Sequence, residues 1–503
     1  MRISKQPVVA FFLGLSLILA FAPFSFYPLA ILVPMGLLAC IINQTPKQAL
    51  RTGFAFGVGF FSAGTYWLFI SLHQVGQVPA LLSLGILGSL VAVLASFPAL
   101  TCYLTNRWYA DYPATQVMLA FPALWVASEW LRSWVGDGFP WLFLGYSQTV
   151  SPLRGFAPLL SVYGVSLVTL MMSGLLFYAV LQFRRNKGWA GLSSLLVVMT
   201  FLVSGMLLSH FSWTKPNHKP LTVSLIQGDI PQTLKWSPDS LRLSFDRYLQ
   251  LSAPWWGKSD LIIWPEAAIP LPLQIAHQFI NDMDVAAKNS HTHLVLGIPV
   301  QNPNGAGFYN AMVELGSNKA IYQKRRLVPF GEYVPLAGIA SHVLDFLKVP
   351  LPEMQSGREK QAPFMVGDLK INPSICFEIA FPELITMRDK QTGLLLSITN
   401  DAWFGHSIAQ ALHLQMAAMR AIELGRPLLL TSNDGLTAII NAHGDVTALA
   451  PAYIPTVLHG TVQPMIGTTP WMKHGIDALL LLLINLLFVA RFKQWKKIIN
   501  PTS

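Results

Sequence analysis

Charge is what this sequence has least of. Its 503 residues are 12% Asp, Glu, Lys and Arg, against about 25% in soluble domains. With 53% hydrophobic residues and a mean hydropathy of +0.47, that shortage excludes an ordinary soluble protein and points to a membrane protein. Cysteine is also scarce: Cys40, Cys102 and Cys376 are all there is, too few for a disulfide framework. The first two sit in apolar runs and read as small core residues, whereas Cys376 is alone in the long polar section. No metal-ligand pattern is present. His291 and His293 flank Thr292 with no cysteine or carboxylate completing a set, and His406 and His413 do not have the spacing of a zinc helix. Gly331 is a lone glycine that reads as a turn, not a phosphate-cradling loop. The net charge of +10 forms no basic stripe or nucleic-acid module. The sequence therefore predicts no metal, no cofactor and no nucleic-acid partner.

Long apolar runs are what it has instead. A spanning helix needs about 20 mostly apolar residues, and the candidates are 7–22, 27–42, 54–72, 80–104, 115–130, 159–183, 191–210 and 476–490. The first follows basic Arg2 and Lys5 and ends in Ala20-Phe21-Ala22, as a signal peptide would. Pro23 would then follow the cut, and more runs come after, so it reads as a retained helix. About eight spans place both termini on one side, together with Arg2, Lys5, Lys47, Arg51, Arg107, Arg184, Arg185, Lys187, Arg491, Lys493, Lys496 and Lys497. Only Arg132 and Arg154 fall in the opposite short loops. By the positive-inside rule both ends are cytoplasmic and 212–464 lies outside the cytoplasm. The predicted organisation is spans 1–7 in 1–211, an outer domain over 212–464, and a final span with a cytoplasmic tail over 465–503.

The outer section is long enough for one globular domain. Short apolar runs at 221–226, 261–264, 294–298, 371–375, 394–399 and 428–431 read as buried strands. Residues 407–424 read as a helix closed by Gly425 and Pro427. Asn433-Asp434-Gly435, between 428–432 and 436–440, reads as a hairpin turn. Strands mixed with helices imply an α/β fold.

Three residues there could carry chemistry. Glu266 ends Leu261-Ile262-Ile263-Trp264-Pro265-Glu266, Lys324 follows Ala320-Ile321-Tyr322-Gln323, and Cys376 ends Ile371-Asn372-Pro373-Ser374-Ile375-Cys376. Strand ends of α/β folds present functional side chains. A carboxylate can take a thiol proton, a thiolate can attack a carbonyl, and an ammonium can hold the oxyanion. Each residue alone also has a bland reading: a buried small hydrophobe for Cys376, a turn residue for Glu266, and a solvated face for Lys324 beside Arg325 and Arg326.

Together the motifs are recognisable. Trp264-Pro265-Glu266, Lys324 with Arg326-Leu327-Val328-Pro329-Phe330-Gly331-Glu332, and Cys376-Phe377-Glu378 resemble the Glu–Lys–Cys signature of the nitrilase, or carbon-nitrogen hydrolase, superfamily. More closely, the chain is similar to the bacterial apolipoprotein N-acyltransferase family over essentially its whole length. Gln227-Gly228-Asp229-Ile230-Pro231 with Trp236, Phe139-Pro140-Trp141, Gly145-Tyr146-Ser147-Gln148, Asn400-Asp401-Ala402-Trp403-Phe404-Gly405 and Leu412-His413-Leu414-Gln415-Met416 carry that likeness. It implies a polytopic helical bundle bearing an extracytoplasmic nitrilase-like α-β-β-α sandwich in the bacterial inner membrane, with the catalytic domain in the periplasm. It implies Glu266 as general base, Lys324 as oxyanion-stabilising cation and Cys376 as nucleophile. Glu332 and Glu378 would orient the lysine and the cysteine loop, and Trp236 would shape acyl or headgroup binding. Phe377 stands where some members carry Tyr, so a hydroxyl there cannot be essential, and Ile408-Ala409-Gln410-Ala411 departs from the more usual Gly-Pro-containing stretch. The implied reaction moves an acyl chain from a membrane phospholipid to a thioester on Cys376, then to the α-amine of an N-terminal diacylglyceryl-cysteine on a lipoprotein.

Other readings remain open at the level of residues. A membrane-tethered amidase would use the same triad with water as acceptor. A transporter with a passive outer domain would need intramembrane ionisable groups. Glu129 is the best candidate, but with Arg132 it reads more simply as an interfacial pair. The apolar stretch 338–351, including Phe346 and Leu347, reads either as a short core helix or as a membrane-dipping lid at the substrate entrance.

Overall fold

The computed structural model describes residues 5–232, 234–235, 238–305, 307–317, 319–329, 331–333, 354–386 and 390–499. The chain forms two compact units: Met1–Phe69, Pro79–Ser212 and Thr469–Ser503 make the first, and Ile70–Val78 with Trp213–Thr468 the second.

The first unit is helical. Its main helices are α1 (Gln6–Leu17), α2 (Leu29–Ile41), α3 (Pro46–Thr65), α4 (Ala80–Tyr109), α5 (Phe121–Arg132), α6 (Ala157–Arg184) and α7 (Gly188–His210), followed by a last helix at Pro470–Ile499. Thr45 starts α3 with a capping box, exchanging hydrogen bonds with Gln48. Small residues let these helices approach closely: a Cβ on Gly14 of α1 would lie 2.0 Å from the Phe56 carbonyl oxygen of α3. Asn106 adds a polar tie by donating to the carbonyls of Ile41 and Gln44 at 2.6 and 3.0 Å.

Among the described residues, four helical stretches are long and apolar enough to cross a membrane: Ala80–Tyr109, Pro152–Arg184, Gly188–His210 and Pro470–Phe492. A fifth arises if Pro46–Thr65 and Trp67–Val75, bent by 51°, are one span. The expectation of about eight is not confirmed: by length and composition, four or five of the described helical stretches qualify. Helices α1 and α2 have 12 and 13 residues, which at 1.5 Å per residue reach only about 18–20 Å, short of the ≈ 30 Å hydrocarbon layer. The run at 115–130 is helical but interrupted by a π-helical turn, Gln116–Ala120. Glu129 in it and Arg132 just beyond it are buried within the protein. Glu129 accepts from Trp125 Nε1 and Leu144 N–H, and Arg132 donates to the Phe139 and Trp141 carbonyls.

The second unit holds β1 (Thr214–Pro216), β2 (Leu221–Gln227), β3 (Leu261–Ile263), β4 (His293–Gln301), β5 (Phe308–Leu315), β6 (Ile321–Gln323), β7 (Phe364–Val366), β8 (Leu369–Ile375), β9 (Thr392–Thr399), β10 (Leu428–Ser432), β11 (Ala438–Ile440), β12 (Val446–Leu449), β13 (Thr456–Val462) and β14 (Met465–Gly467). Two six-stranded sheets result, in the orders β13-β2-β3-β4-β5-β6 and β12-β11-β10-β9-β8-β7. Strands β2, β3 and β4 run parallel, as do β8, β9 and β10. Covered on both faces, they are the continuous apolar runs visible in the sequence. The outer strands pair antiparallel. Helices α8 (Pro238–Ser252) and α9 (His277–Asn289) pack on the first sheet, α10 (Ala409–Leu424) packs on the second, and the sheets touch where β2 meets β10. Gly425 closes α10 in the left-handed conformation, φ +57°. The hairpin between β10 and β11 turns through Asn433-Asp434-Gly435 as expected. The short ladder β1–β14 joins the two ends of the Trp213–Thr468 stretch.

Candidate active site

Strands of both sheets lead into the residues of interest. Strand β3 runs into Trp264-Pro265-Glu266. Trp264 anchors this corner, donating from Nε1 to Ser252 Oγ at 2.8 Å and stacking on Tyr248. The Glu266 backbone passes so close to β4 that a Cβ at Gly297 would lie 2.5 Å from the Pro265 carbonyl oxygen. Only glycine fits there. Lys324 follows strand β6, and its N–H donates to the Asn310 carbonyl of β5 at 2.8 Å. Strand β8 ends at Ile375, and Cys376 opens a tight turn, Cys376–Ala380, with φ +51°. A non-glycine residue in this left-handed conformation costs about 1–2 kcal/mol, so the turn must be held from outside.

Lys324 is buried and lies between two carboxylates. Its Nζ is 2.9 Å from Glu332 Oε1 and 3.4 Å from Glu266 Oε1. Asn310 bridges the same pair, its Nδ2 donating to Glu266 Oε1 at 2.6 Å and Glu332 Oε1 at 2.8 Å. Glu332 Oε2 accepts from Val328 N–H at 2.8 Å. Burial opposes the lysine charge, but Glu332, Glu266 and the Cys376 sulfur outweigh it and hold the ammonium protonated well above its ordinary range. The Cys376 thiol is pushed well above its usual range by burial and by the Glu266 charge, against the opposing pull of Lys324. It therefore rests as a thiol, with a carboxylate and an ammonium beside it.

Glu378 is fully buried and braces the turn. It accepts from Ile375 N–H at 2.7 Å, Arg325 N–H at 2.6 Å and the Tyr322 hydroxyl at 2.9 and 3.0 Å. It thus ties the cysteine turn to the chain around Lys324. Burial pushes its pKa up, against Arg325 and these N–H groups. Phe377 is buried edge-on against Phe381. Glu266, Lys324, Cys376, Glu332 and Glu378 are brought together, while Trp236, Phe346, Leu347 and the stretch 338–351 lie outside the described residues.

Other residues meet here to which the sequence alone assigns no role in the chemistry. Asn310 is a polar residue in the mostly apolar strand β5. Lys235 is 1% exposed and donates from Nζ to the Glu266 carbonyl at 2.9 Å. Burial, only partly countered by Glu266, lowers its pKa to about 8. Asn433 braces the chain before Lys235, bonding both the N–H and the carbonyl of Ile230 and the Asn400 side chain. His413 and Asp401 form a buried pair 3.1 Å apart. Among the described residues, no group of three or more His, Cys, Asp or Glu is arranged to hold a metal ion.

Two family profiles match the chain: the apolipoprotein N-acyltransferase N-terminal domain over residues 13–175, and carbon-nitrogen hydrolase over residues 222–470. Full-length relatives are similar throughout. An apolipoprotein N-acyltransferase of Vibrio parahaemolyticus is 36% identical over 94% of both chains. That of Coxiella burnetii is 37% identical over 96% of this chain and 99% of its own, and that of Nitrosomonas europaea is 38% identical over 96% of both.

Proposed function

The chain belongs to the apolipoprotein N-acyltransferase family, and from that premise we propose that its acyl transfer to lipoproteins runs through a thioester on Cys376. The observation that carries this reading is the buried cluster in which Lys324 lies between Glu266 and Glu332 and acts electrostatically on the thiol. Because the thiol is held protonated, its proton must leave as attack begins. Glu266 takes it, and the sulfur adds to an ester carbonyl of a membrane phospholipid. Lys324 and nearby N–H groups hold the oxyanion. Collapse expels the lysophospholipid alkoxide, which receives the proton from Glu266 and leaves the thioester. In the second half the α-amine of the lipoprotein's N-terminal diacylglyceryl-cysteine attacks the thioester. Glu266 takes the amine proton, an amide forms, and the Cys376 thiolate departs to be reprotonated. The thioester is already activated, so the chemistry asks for no ATP.

Glu332 and Asn310 keep Lys324 aimed, Glu378 keeps the cysteine turn in register with it, and the family likeness assigns Trp236 to acyl or headgroup binding. Membrane attachment follows from the substrates: drawing an acyl chain into water costs about 0.8 kcal/mol per CH₂. The membrane is the bacterial inner membrane, with the catalytic unit on its periplasmic side. Neither the amidase nor the transporter reading accounts for family relatives that match both the helical and the hydrolase-like parts.

The deciding experiment is to incubate the purified full-length protein with phospholipid labelled in its acyl chain and no acceptor. A hydroxylamine-sensitive label on the Cys376 peptide is expected, and it should discharge when a diacylated lipopeptide is added. Acyl transfer that continues in Cys376→Ala at near the normal rate would sink the covalent route.

A further inference from the structure

A second set of groups closes on Cys376. Thr399 ends β9, Asp401 opens the following turn, and His413 lies in the first half of α10. All three are buried. The Thr399 hydroxyl donates to Asp401 Oδ1 at 2.7 Å. His413 Nδ1 is 3.1 Å from the same oxygen, and its Nε2 is 3.2 Å from the Cys376 carbonyl oxygen. The Thr399 hydroxyl also lies in hydrogen-bonding relation to the Cys376 thiol. The circuit therefore starts at the cysteine sulfur and returns to the cysteine carbonyl.

Proton counting fixes how it works. A carbonyl oxygen only accepts, so His413 Nε2 must carry hydrogen. An ionised carboxylate also only accepts, so Nδ1 must carry one as well. His413 is then an imidazolium paired with Asp401. Burial opposes that charge, but Asp401 and the two hydrogen bonds hold the ring protonated above its ordinary range. The Thr399 hydroxyl has one proton, and in the resting state Asp401 takes it. Asp401 Oδ2 has no partner among the described residues, so the charge of this carboxylate is balanced through Oδ1 alone.

We propose that Thr399, Asp401 and His413 form a positioning network behind the nucleophile, in which His413 holds the left-handed Cys376 turn by its carbonyl and Thr399 swings its O–H from Asp401 to the sulfur whenever Cys376 becomes a thiolate. No bond is made or broken; a hydroxyl rotates. Asp401 can release Thr399 because the imidazolium remains bonded to it. The demand arises twice per turnover, when the thiolate attacks the phospholipid and when it leaves the thioester. The proposal rests on the reading of Cys376 as nucleophile. The other charged groups facing the sulfur are Glu266, Lys324 and Asp401, and Glu266 is the further charge facing His413.

The test reads thiol ionisation instead of turnover, so it can fail while the nucleophile assignment stands. The full-length protein in detergent micelles is alkylated with iodoacetamide across a pH series. Mass spectrometry of the Cys376 peptide separates it from Cys40 and Cys102. Thr399→Val removes the donor, so the alkylation midpoint should rise by about 1 pH unit, the size of one hydrogen bond to a charged group. Thr399→Ser keeps the hydroxyl and should restore the normal midpoint, which a purely structural role for Thr399 would not predict. His413→Gln should also raise the midpoint, because Asp401, stripped of its cation, retains the Thr399 proton. Since both act through one hydroxyl, the double variant should shift no further than the larger single shift. An unmoved midpoint in Thr399→Val, or additive shifts in the double variant, would overturn the network.

Discussion

At the scale of single residues, the site is a contest between burial and pairing. Lys324 and Lys235 are equally buried, yet their charges fare oppositely. Lys324 has two carboxylates within hydrogen-bond range, while Lys235 has a carbonyl. We expect Glu266→Gln and Lys324→Met each to lower the rate of thioester formation by about 10²–10⁴-fold, measured as first-order labelling of Cys376. Asn310→Ala removes the amide that separates Glu266 from Glu332 and should cost about 10–100-fold in the same assay, the weight of a hydrogen bond to a charged group. An Asn310→Ala variant as fast as the parent would show the bridge to be idle. Lys235 gives a pH prediction. Its folded pKa of about 8 lies below the ordinary ≈ 10.4 of a lysine. Between those values the unfolded chain holds a proton that the folded chain has released, so folding is favoured increasingly as pH rises. Compared with Lys235→Met, the parent should gain on the order of 1 kcal/mol of stability per pH unit above pH 8. Thermal unfolding of both proteins at pH 7.5 and 9.5 checks this; an unchanged gap contradicts it.

At the scale of elements, what the sequence reveals depends on which faces are buried. Strands β2, β3, β4, β8, β9 and β10 are covered on both faces and stand out as apolar runs. Strands β12 and β13 lie at sheet edges and are mostly exposed or half-buried, so neither apolar run length nor strict alternation marks them. Strand β5 contains Asn310 and Glu314, both pointed at partners on other elements, which breaks its apolar run. The site divides the same way. Glu266, Lys324 and Cys376 are legible because each follows a strand and fits a known motif. Asn310 with Glu266, Lys235 with the Glu266 carbonyl, and His413 with Asp401 are pairings between separate elements, and they exist only once the sheets are assembled. The span count is less legible for a similar reason: apolar content marks α1 and α2, but as helices they are shorter than a full span.

At the scale of the whole molecule, orientation can be argued from two helices. Gly188–His210 and Pro470–Phe492 flank the catalytic unit, and both are long enough to cross a membrane. Arg184, Arg185 and Lys187 precede the first, and Arg491, Lys493, Lys496 and Lys497 lie at and beyond the end of the second. On the positive-inside rule we propose that both clusters are cytoplasmic and that the unit between them is therefore periplasmic. A reporter active only in the cytoplasm should therefore work when fused after residue 497, and a reporter active only in the periplasm should not. The reverse pattern would refute this orientation.

The segment Ile70–Val78 belongs to the catalytic unit although it is separated from the rest of it by more than a hundred residues of chain. Ser71 donates to the Trp403 carbonyl, and a Cβ on Gly405 would meet the Ile70 side chain. Trp403 is two residues from Asp401, so a piece supplied by the helical part of the chain reaches the loop that leads to the nucleophile. Two cuts, at 213 and 468, would thus release a fragment with a gap beside its working parts. Protein engineers seeking a soluble form would have to supply that peptide again, by fusion or in trans. By the same logic, an insertion between α3 and α4, remote in sequence from every catalytic side chain, should be felt as an enzymatic defect.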